Sequence, residues 1–401
     1  MTVRIFGLTG AALHAQRPDQ LPNTEASVEV RIPKRTLAEG LSILERIIPS
    51  RSSNPILTYL PIELSDTGLT LRGTNGEVDI EVRLPAEIQG SGQVLVPAQT
   101  FSQIVRSAPG ELVELIFGQG SEGVKGAGAG ATGERLELHS GAFNTQLSTT
   151  SPDGYPELSF SQPGTEKIAA SRLAQAITRV RYAASTEEYR AIFRGVQLEM
   201  SPNGLRSVAS DGFRLARYDL PLQLQTRKLV IPARSADEIV RVFKDAQGEV
   251  AFAVGEGSLT LVGESVRMAV KLMEGEFPDY ARVIPQSFVL EATLAAEALR
   301  ESLKRVAVLS DRNNHRVNLL FNDGKLDIDA EGDYGRGREE LSIDSSGEPQ
   351  LMVAYNAQYL IDALAPIEGA VRIKLSGPTS PSVVQAVEDT GYLAVVVPLR
   401  V

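Results

Sequence analysis

Cysteine is absent from the 401 residues, which excludes a disulfide framework, a zinc–thiolate site and a cysteine nucleophile and makes an intracellular address the easier expectation. Histidine is nearly absent. His14, His139 and His315 are the only three, and none has a second at ligand spacing, so histidine metal sites and nucleophile triads are disfavoured. Long apolar runs are missing too: nothing approaches the ~18 consecutive residues of a membrane span, and no membrane partner is expected. Residues 5–15 form a short apolar stretch broken by Gly7, Thr9 and Gly10. Although Leu13-His14-Ala15 faintly resembles a cleavage site, residues 1–26 are read as a flexible or mis-started extension, with secretion as the minor alternative. Phosphate-binding P-loops and nucleophile elbows do not occur, and the adjacent Glu187 and Glu188 cannot face one substrate from one helix. The chain offers no catalytic constellation, and neither cofactor nor metal is expected.

Two motifs match in spelling only. Gly128, Gly130 and Gly133 follow the dinucleotide fingerprint, but the alternating stretch 134–139 follows where a helix is needed. Asp327, Asp329, Glu331 and Gly332 imitate the start of a calcium loop, yet its twelfth position is Arg338 rather than a bidentate acid. Solvent-facing carboxylates on a strand explain them better.

What the chain does contain is a message repeated three times. Val96-Pro97-Ala98-Gln99 opens a helical pattern after a strand, Ile231-Pro232-Ala233-Arg234 does so 135 residues later, and Tyr355-Asn356-Ala357-Gln358 follows 124 residues after that. Turns at Asn75-Gly76, Asp211-Gly212 and Gly332-Asp333 precede these by 22, 21 and 24 residues. The first two copies end in an aromatic-proline-acid step, Tyr155-Pro156-Glu157 and Phe277-Pro278-Asp279. A period this long gives each copy its own core. The expected division is 1–26 extension, 27–158, 159–285 and 286–401, with a Gly-rich insertion at 118–133 in the first copy. Short alternating stretches such as 250–254, 258–262 and 266–272, with two helical patterns per copy, predict an α+β fold: three similar domains, each an antiparallel sheet with two helices on one face.

Charge is unevenly placed. The net charge of -10 argues on its face against a nucleic-acid partner. One amphipathic helical pattern in each copy is nevertheless basic: residues 34–51 carry +2, 171–184 carry +3 and 297–316 carry +2, leaving -17 for the rest. Their apolar stripes are Leu37, Leu41, Leu44 and Ile48; Leu173, Ile177, Val180 and Ala184; Leu299, Leu303 and Val306. Arg172, Gln175 and Arg179 share one side of the middle helix by spacing. A solvated face is the plain explanation for any one helix; three equivalent basic helices in an acidic chain shift the expectation towards a polyanion.

Three stretches together resemble the bacterial sliding clamps, the beta subunits of the DNA polymerase III holoenzyme. They are Ala209-Ser210-Asp211-Gly212-Phe213-Arg214-Leu215-Ala216, Gly275-Glu276-Phe277-Pro278-Asp279-Tyr280-Ala281-Arg282-Val283 and Val395-Val396-Val397-Pro398-Leu399-Arg400-Val401, and the similarity runs from about Val28 to the end. The resemblance implies the clamp fold, a head-to-tail homodimer closed into a ring around double-stranded DNA without sequence preference, and a cytoplasmic location. The basic helices would line the inside, where weak phosphate contacts permit sliding. Implied partners are the replicative polymerase alpha subunit, a clamp loader and other proteins carrying a clamp-binding motif.

The same resemblance implies a peptide cleft between domains two and three, lined by Phe193, Ser210, Gly212, Phe213, Arg214, Leu215, Pro278, Arg282, Val283, Val395, Val397, Pro398, Leu399 and Arg400. Arg214, Arg282 and Arg400 would hold the polar ends of a peptide. Relatives often carry histidine at Phe213, threonine at Ser210 and methionine at Val397 and Leu399, which bears on affinity and peptide preference. For DNA, Arg51, Arg190 and Arg234 match basic family positions and join Arg172, Gln175 and Arg179; Gln99, Thr100 and Glu276 stand where relatives carry basic residues. Val308 and Leu309 would close the ring. The alternatives are a diverged monomeric peptide-binding adaptor that does not encircle DNA, favoured by the missing basic positions, and an enzyme with an unfamiliar site.

Overall fold

The computed structural model describes residues 28–119 and 134–400. The expected extension, the Gly128 to Gly133 spelling and all but the first two residues of the Gly-rich insertion lie outside the described residues. Among the described residues six α-helices recur as three pairs: α1 (Lys34–Leu44) and α2 (Ala98–Ser107), α3 (Ala170–Arg181) and α4 (Ala233–Phe243), α5 (Ala296–Ala307) and α6 (Ala357–Leu364). None is long and apolar enough to cross a membrane. The second helix of each pair starts directly from a strand, Gly92–Pro97, Arg227–Pro232 or Gln350–Asn356. Proline suits that junction because its missing N–H falls where a helix has no acceptor to offer. In the third copy the side-chain oxygen of Asn356 instead accepts from the Gln358 backbone N–H at 2.9 Å, a cap that meets the same need. The stripes read from periodicity are buried, Leu37, Leu173, Ile177, Leu299 and Leu303 completely, and this burial rather than propensity holds short helices.

By contacts the chain falls into two units. The first takes residues up to 38, 61–69 and 85–153. Its five-stranded sheet has the order Glu87–Gln89, Val28–Pro33, Leu112–Gln119, Glu134–Ser140, Phe143–Ser148, all neighbours antiparallel. Alternation puts Val30, Ile32, Val113, Leu115, Leu136 and Leu138 in its core. Phe143–Ser148 is a free edge among the described residues.

The second unit takes 39–60, 70–84 and the chain from Gly154 onward. Here the turns read from sequence close two hairpins in the same way. Asn75 Oδ1 accepts from the N–H groups of Glu77 and Val78 at 2.9 and 2.8 Å, and Asp211 Oδ1 from Phe213 and Arg214 at 2.8 and 3.0 Å. Gly76 and Gly212 sit at φ +87° and +88°, a region closed to most side chains.

The strand after each of these turns pairs onto a strand of the following repeat. Val78–Leu84 lies antiparallel to Val266–Lys271, with Ile80 opposite Met268. Arg214–Leu220 lies antiparallel to Tyr392–Val396, with Ala216 opposite Ala394. The third equivalent, Gly335–Ser342, pairs with Lys325–Gly332 on one side and is the edge of a four-stranded sheet. Asp327 and Asp329 on that inner neighbour face Arg338 at 2.8 Å and Arg336 at 3.6 Å, so the carboxylates of the calcium-like spelling are neutralised in a strand ladder. Among the described residues no group of three His, Cys, Asp or Glu is arranged to hold a metal ion.

Candidate functional site

Where Arg214–Leu220 meets Tyr392–Val396, the side of the strands facing away from α3 is apolar. Val208, Leu215, Val383 and Val395 are buried there, and Phe277, Tyr280, Ile284, Phe288 and Leu393 pack on them. The segment after strand Val266–Lys271 crosses this face and forms one wall of a groove of about 150 Å³. The turn at 211–213 forms the other. Phe193 meets Phe277 edge to face at 5.9 Å between ring centres, a favoured aromatic geometry.

Ten of the expected cleft residues line this groove: Phe193, Ser210, Gly212, Phe213, Arg214, Leu215, Pro278, Val283, Val395 and Val397. Arg282, Pro398, Leu399 and Arg400 do not line it. The backbone gives the reason for the last three. Val397 N–H donates to the Phe213 carbonyl at 3.0 Å, and Leu399 N–H then donates to the Ala354 carbonyl at 2.8 Å, so the chain leaves the groove within two residues. Pro398 is buried and Arg400 exposed. Arg282 points into solvent and pairs with Asp279 at 2.8 Å. Sequence reasoning missed Phe277, Asp279, Tyr280 and Pro381, which also line the groove. The first two belong to the Phe277-Pro278-Asp279 step already conspicuous as a repeat boundary, so a signal existed.

The arginines are engaged rather than free. Arg214 Nε donates to Asp211 at 3.0 Å and Nη1 to Asp362 on α6 at 2.5 Å, with its guanidinium 4.6 Å from the Tyr359 ring centre and 5.6 Å from that of Tyr182. Burial pulls its pKa down, and the carboxylates of Asp362 and Asp211 outweigh that and raise it. Tyr182 in turn meets the Tyr392 hydroxyl at 2.7 Å, and burial pushes its own ionisation up. Arg214 therefore braces the groove instead of reaching out from it. Arg190, expected on the DNA side, donates to the Asp211 carbonyl and stacks 4.9 Å from the Phe213 ring centre. These contacts place its guanidinium at the groove's rim.

The basic helices differ from one another. On α3, Arg172 and Gln175 are exposed, but Arg179 is largely buried, 3.4 Å from Asp389 and over the Tyr218 ring, a partner that periodicity could not reveal. Arg51 and Arg234 are exposed, as are Gln99 and Thr100. On α5 the cations are matched locally, Arg300 by Glu297, Lys304 by Glu301 at 2.7 Å and Arg305 by Glu339 at 2.6 Å. Just beyond α5, Val308 is 79% exposed, while Leu309 is half-buried.

Comparison with known proteins bears on all of these features. Models of the DNA polymerase III beta subunit match the chain in three consecutive parts: the N-terminal domain at 28–159, the central domain at 167–279 and the C-terminal domain at 281–400. The beta sliding clamp of Lactococcus lactis is 29% identical over 390 residues, covering 93% of this chain and 99% of the relative. That of Pseudomonas putida is 27% identical over 378 residues, covering 92% and 99%. Among solved structures, a sliding clamp from Pseudomonas aeruginosa bound to griselimycin has a TM-score of 0.85 at 26% identity, covering 94% of this chain and all (100%) of the other. The beta subunit from Thermotoga maritima has a TM-score of 0.82 at 26% identity, covering 93% and 100%.

Proposed function

The chain belongs to the DNA polymerase III beta subunit family, and on that premise we propose that two copies close head to tail into a ring around duplex DNA and tether the replicative polymerase through the groove beside Leu215. It is a processivity clamp and not an enzyme. The domains run 27–158, 159–285 and 286–401. The alpha subunit, a clamp loader and other proteins with a clamp-binding motif dock in the groove, and the setting is the cytoplasm. Arg51, Arg172, Gln175 and Arg234 are the residues offered to DNA. Their small number gives weak, salt-sensitive contacts, which suit a link that is topological.

The observation that carries ring closure is the unpaired edge in the third copy. Twice the strand after the turn finds its partner in the next repeat; the third time, at Gly335–Ser342, the outer side has no partner strand among the described residues. The matching free strand is Phe143–Ser148 of the first repeat, so a second copy supplies what the first lacks, and edges left open invite such pairing. The register follows from the repeats. The hairpins that pair Ser201 with Gly204 and Asn322 with Lys325 make Arg336 the equivalent of Leu215 and Asp79. Counting from the strand-to-helix junctions through the paired strands makes Gln146 the equivalent of Val395 and Ala269. Leu215 faces Val395 and Asp79 faces Ala269, so Arg336 faces Gln146 of a second copy, and Val308 is covered in the same contact.

A chain without cysteine makes the test clean. Arg336→Cys combined with Gln146→Cys should oxidise to a disulfide-linked dimer, because facing residues in an antiparallel pair lie ~4.5–5.5 Å apart. Loaded on nicked circular plasmid, the linked ring should survive a high-salt wash and be lost once the DNA is linearised. A monomer that never cross-links would instead favour the peptide-adaptor reading. Labelled griselimycin, the ligand of the Pseudomonas aeruginosa clamp, serves as a probe of the groove.

A further inference from the structure

We propose that Asp362, on α6 of the third repeat, is a positioning residue that sets the wall of the groove belonging to the second. Asp362 lies outside the groove lining, so no residue list based on contact would include it. Its Oδ2 accepts from Arg214 Nη1 at 2.5 Å, and its Oδ1 accepts from Gln358 Nε2 at 2.7 Å, which fixes the carboxylate's orientation. Arg214 passes that constraint on, because its Nε binds Asp211 Oδ2 at 3.0 Å while Asp211 Oδ1 holds the N–H groups of Phe213 and Arg214. Phe213, which forms the wall with Gly212, therefore hangs on a chain of charge-assisted bonds that begins on α6, while the Gly212 N–H donates to Ser210 Oγ at 3.1 Å. Each link has a preferred geometry.

An independent observation comes from the equivalent place between the first and second repeats. Val78 stands there where Arg214 stands here, and α4 carries Glu238 at the position of Asp362. Glu238 binds Arg241 of its own helix at 2.6 Å, and Arg241 donates to the carbonyls of Ser42 and Ile43. The turn at 75–77 is thus closed by Asn75 with no tie to the following repeat's helix, and no residue near it lines the groove. Among the described residues the brace occurs at the junction that carries the groove, and the first junction has no equivalent ion pair between its turn and the following repeat's helix. The inference rests on the groove being the docking site, and it deepens that reading by placing control of the wall in the third repeat.

The test is Asp362→Asn, isosteric and uncharged, beside Asp362→Glu. Hydrogen exchange at the amides of Phe213 and Arg214 reads the brace without any ligand, and titration with labelled griselimycin reads its effect. Asp362→Asn should speed exchange at these two amides and weaken griselimycin by about 10-fold, the effect of losing one of two carboxylates on a largely buried guanidinium. Asp362→Glu should recover most of the affinity, and the melting temperature and dimer should be unchanged. Unaltered exchange at Phe213 and Arg214 overturns the proposal, whatever the ligand does. So does a loss of affinity that follows a fall in melting temperature and is not recovered by Asp362→Glu. Wild-type protein that fails to bind griselimycin counts against the groove reading, while the exchange data still decide the brace.

Discussion

The junction between the first and second repeats and the junction between the second and third share a backbone and differ in chemistry. In both, the strand after an Asx-closed turn pairs antiparallel with the last strand of the next repeat, and a linker crosses the face away from the helices. At the second junction that face carries Val208, Leu215, Val383 and Val395. Carried through the strand registers, the same four places at the first junction hold Arg72, Asp79, Thr260 and Ala269. There the linker is fastened by polar bonds: Ser161 N–H donates to Thr260 Oγ1 at 3.0 Å, and Phe160 lies 4.7 Å under the Arg267 guanidinium. Glu81 beneath is nearly inaccessible and gathers Arg72, Arg83 and Arg267 at 3.0, 3.1 and 3.7 Å. One junction is cross-linked by polar bonds; the other keeps an apolar slot with an exposed Phe213 at its lip. Duplicating a backbone did not duplicate a site, because a site needs apolar surface left uncovered.

That difference can be broken from either side. The largest effect is expected from Glu81→Ala. It leaves three arginines around a vacated buried site, which should lower stability by about 3 kcal/mol and show as a lower thermal midpoint, with griselimycin binding at the other junction preserved. Loss of both together would mean that the two junctions form one cooperative element. Next is Leu215→Asp, which imports the first junction's Asp79 into the groove. A carboxylate among Val208, Val383 and Val395 has no partner, and griselimycin binding should fall more than about 100-fold. Leu215→Ala, which only shortens the floor, should cost about 10-fold. A groove that keeps its affinity with aspartate at 215 would show that the ligand does not rest on that floor.

Much of this organisation was legible in the sequence because it is local. The turn residues, the strand-to-helix junctions and the apolar stripes each depend on neighbours within a few positions, and the resemblance supplied ten of the groove's residues. What escaped depends on partners distant in the chain. Arg190 meets Asp211, Arg179 meets Asp389, and Arg305 meets Glu339 across a sheet; no spacing rule ties such pairs. The net charge of each basic stretch was counted correctly, yet α5 is neutralised by acids on its own surface and on Gly335–Ser342, while α3 keeps Arg172 exposed. The course of the tail at Pro398 to Arg400 escaped for a similar reason, since it is set by a bond to Ala354, a residue remote in sequence.

The smallest expected effect separates the junctions by a single hydroxyl each. Tyr392 donates to the Ala363 carbonyl at 2.7 Å and meets Tyr182 at 2.7 Å, so Tyr392→Phe strands two buried polar groups and should cost about 1–2 kcal/mol at neutral pH. Tyr155, its counterpart at the first junction, is half-buried with an inaccessible hydroxyl, which the Thr74 backbone and the Asp79 carboxylate both influence but which makes no hydrogen bond of ordinary geometry. Tyr155→Phe should therefore be neutral or slightly stabilising. Burial raises the ionisation of both phenols. Below the ordinary tyrosine value of ~10 neither the folded nor the unfolded chain is charged there, and their contribution is complete. Above it the unfolded chain ionises while the buried phenols cannot, so stability must fall as pH rises. Thermal midpoints across the alkaline range should fall less steeply for each variant than for wild type, although only Tyr392→Phe starts from a lower value. If Tyr155→Phe also starts lower, its hydroxyl is bonded in solution, and the first junction is held by its phenol as well as by its arginines.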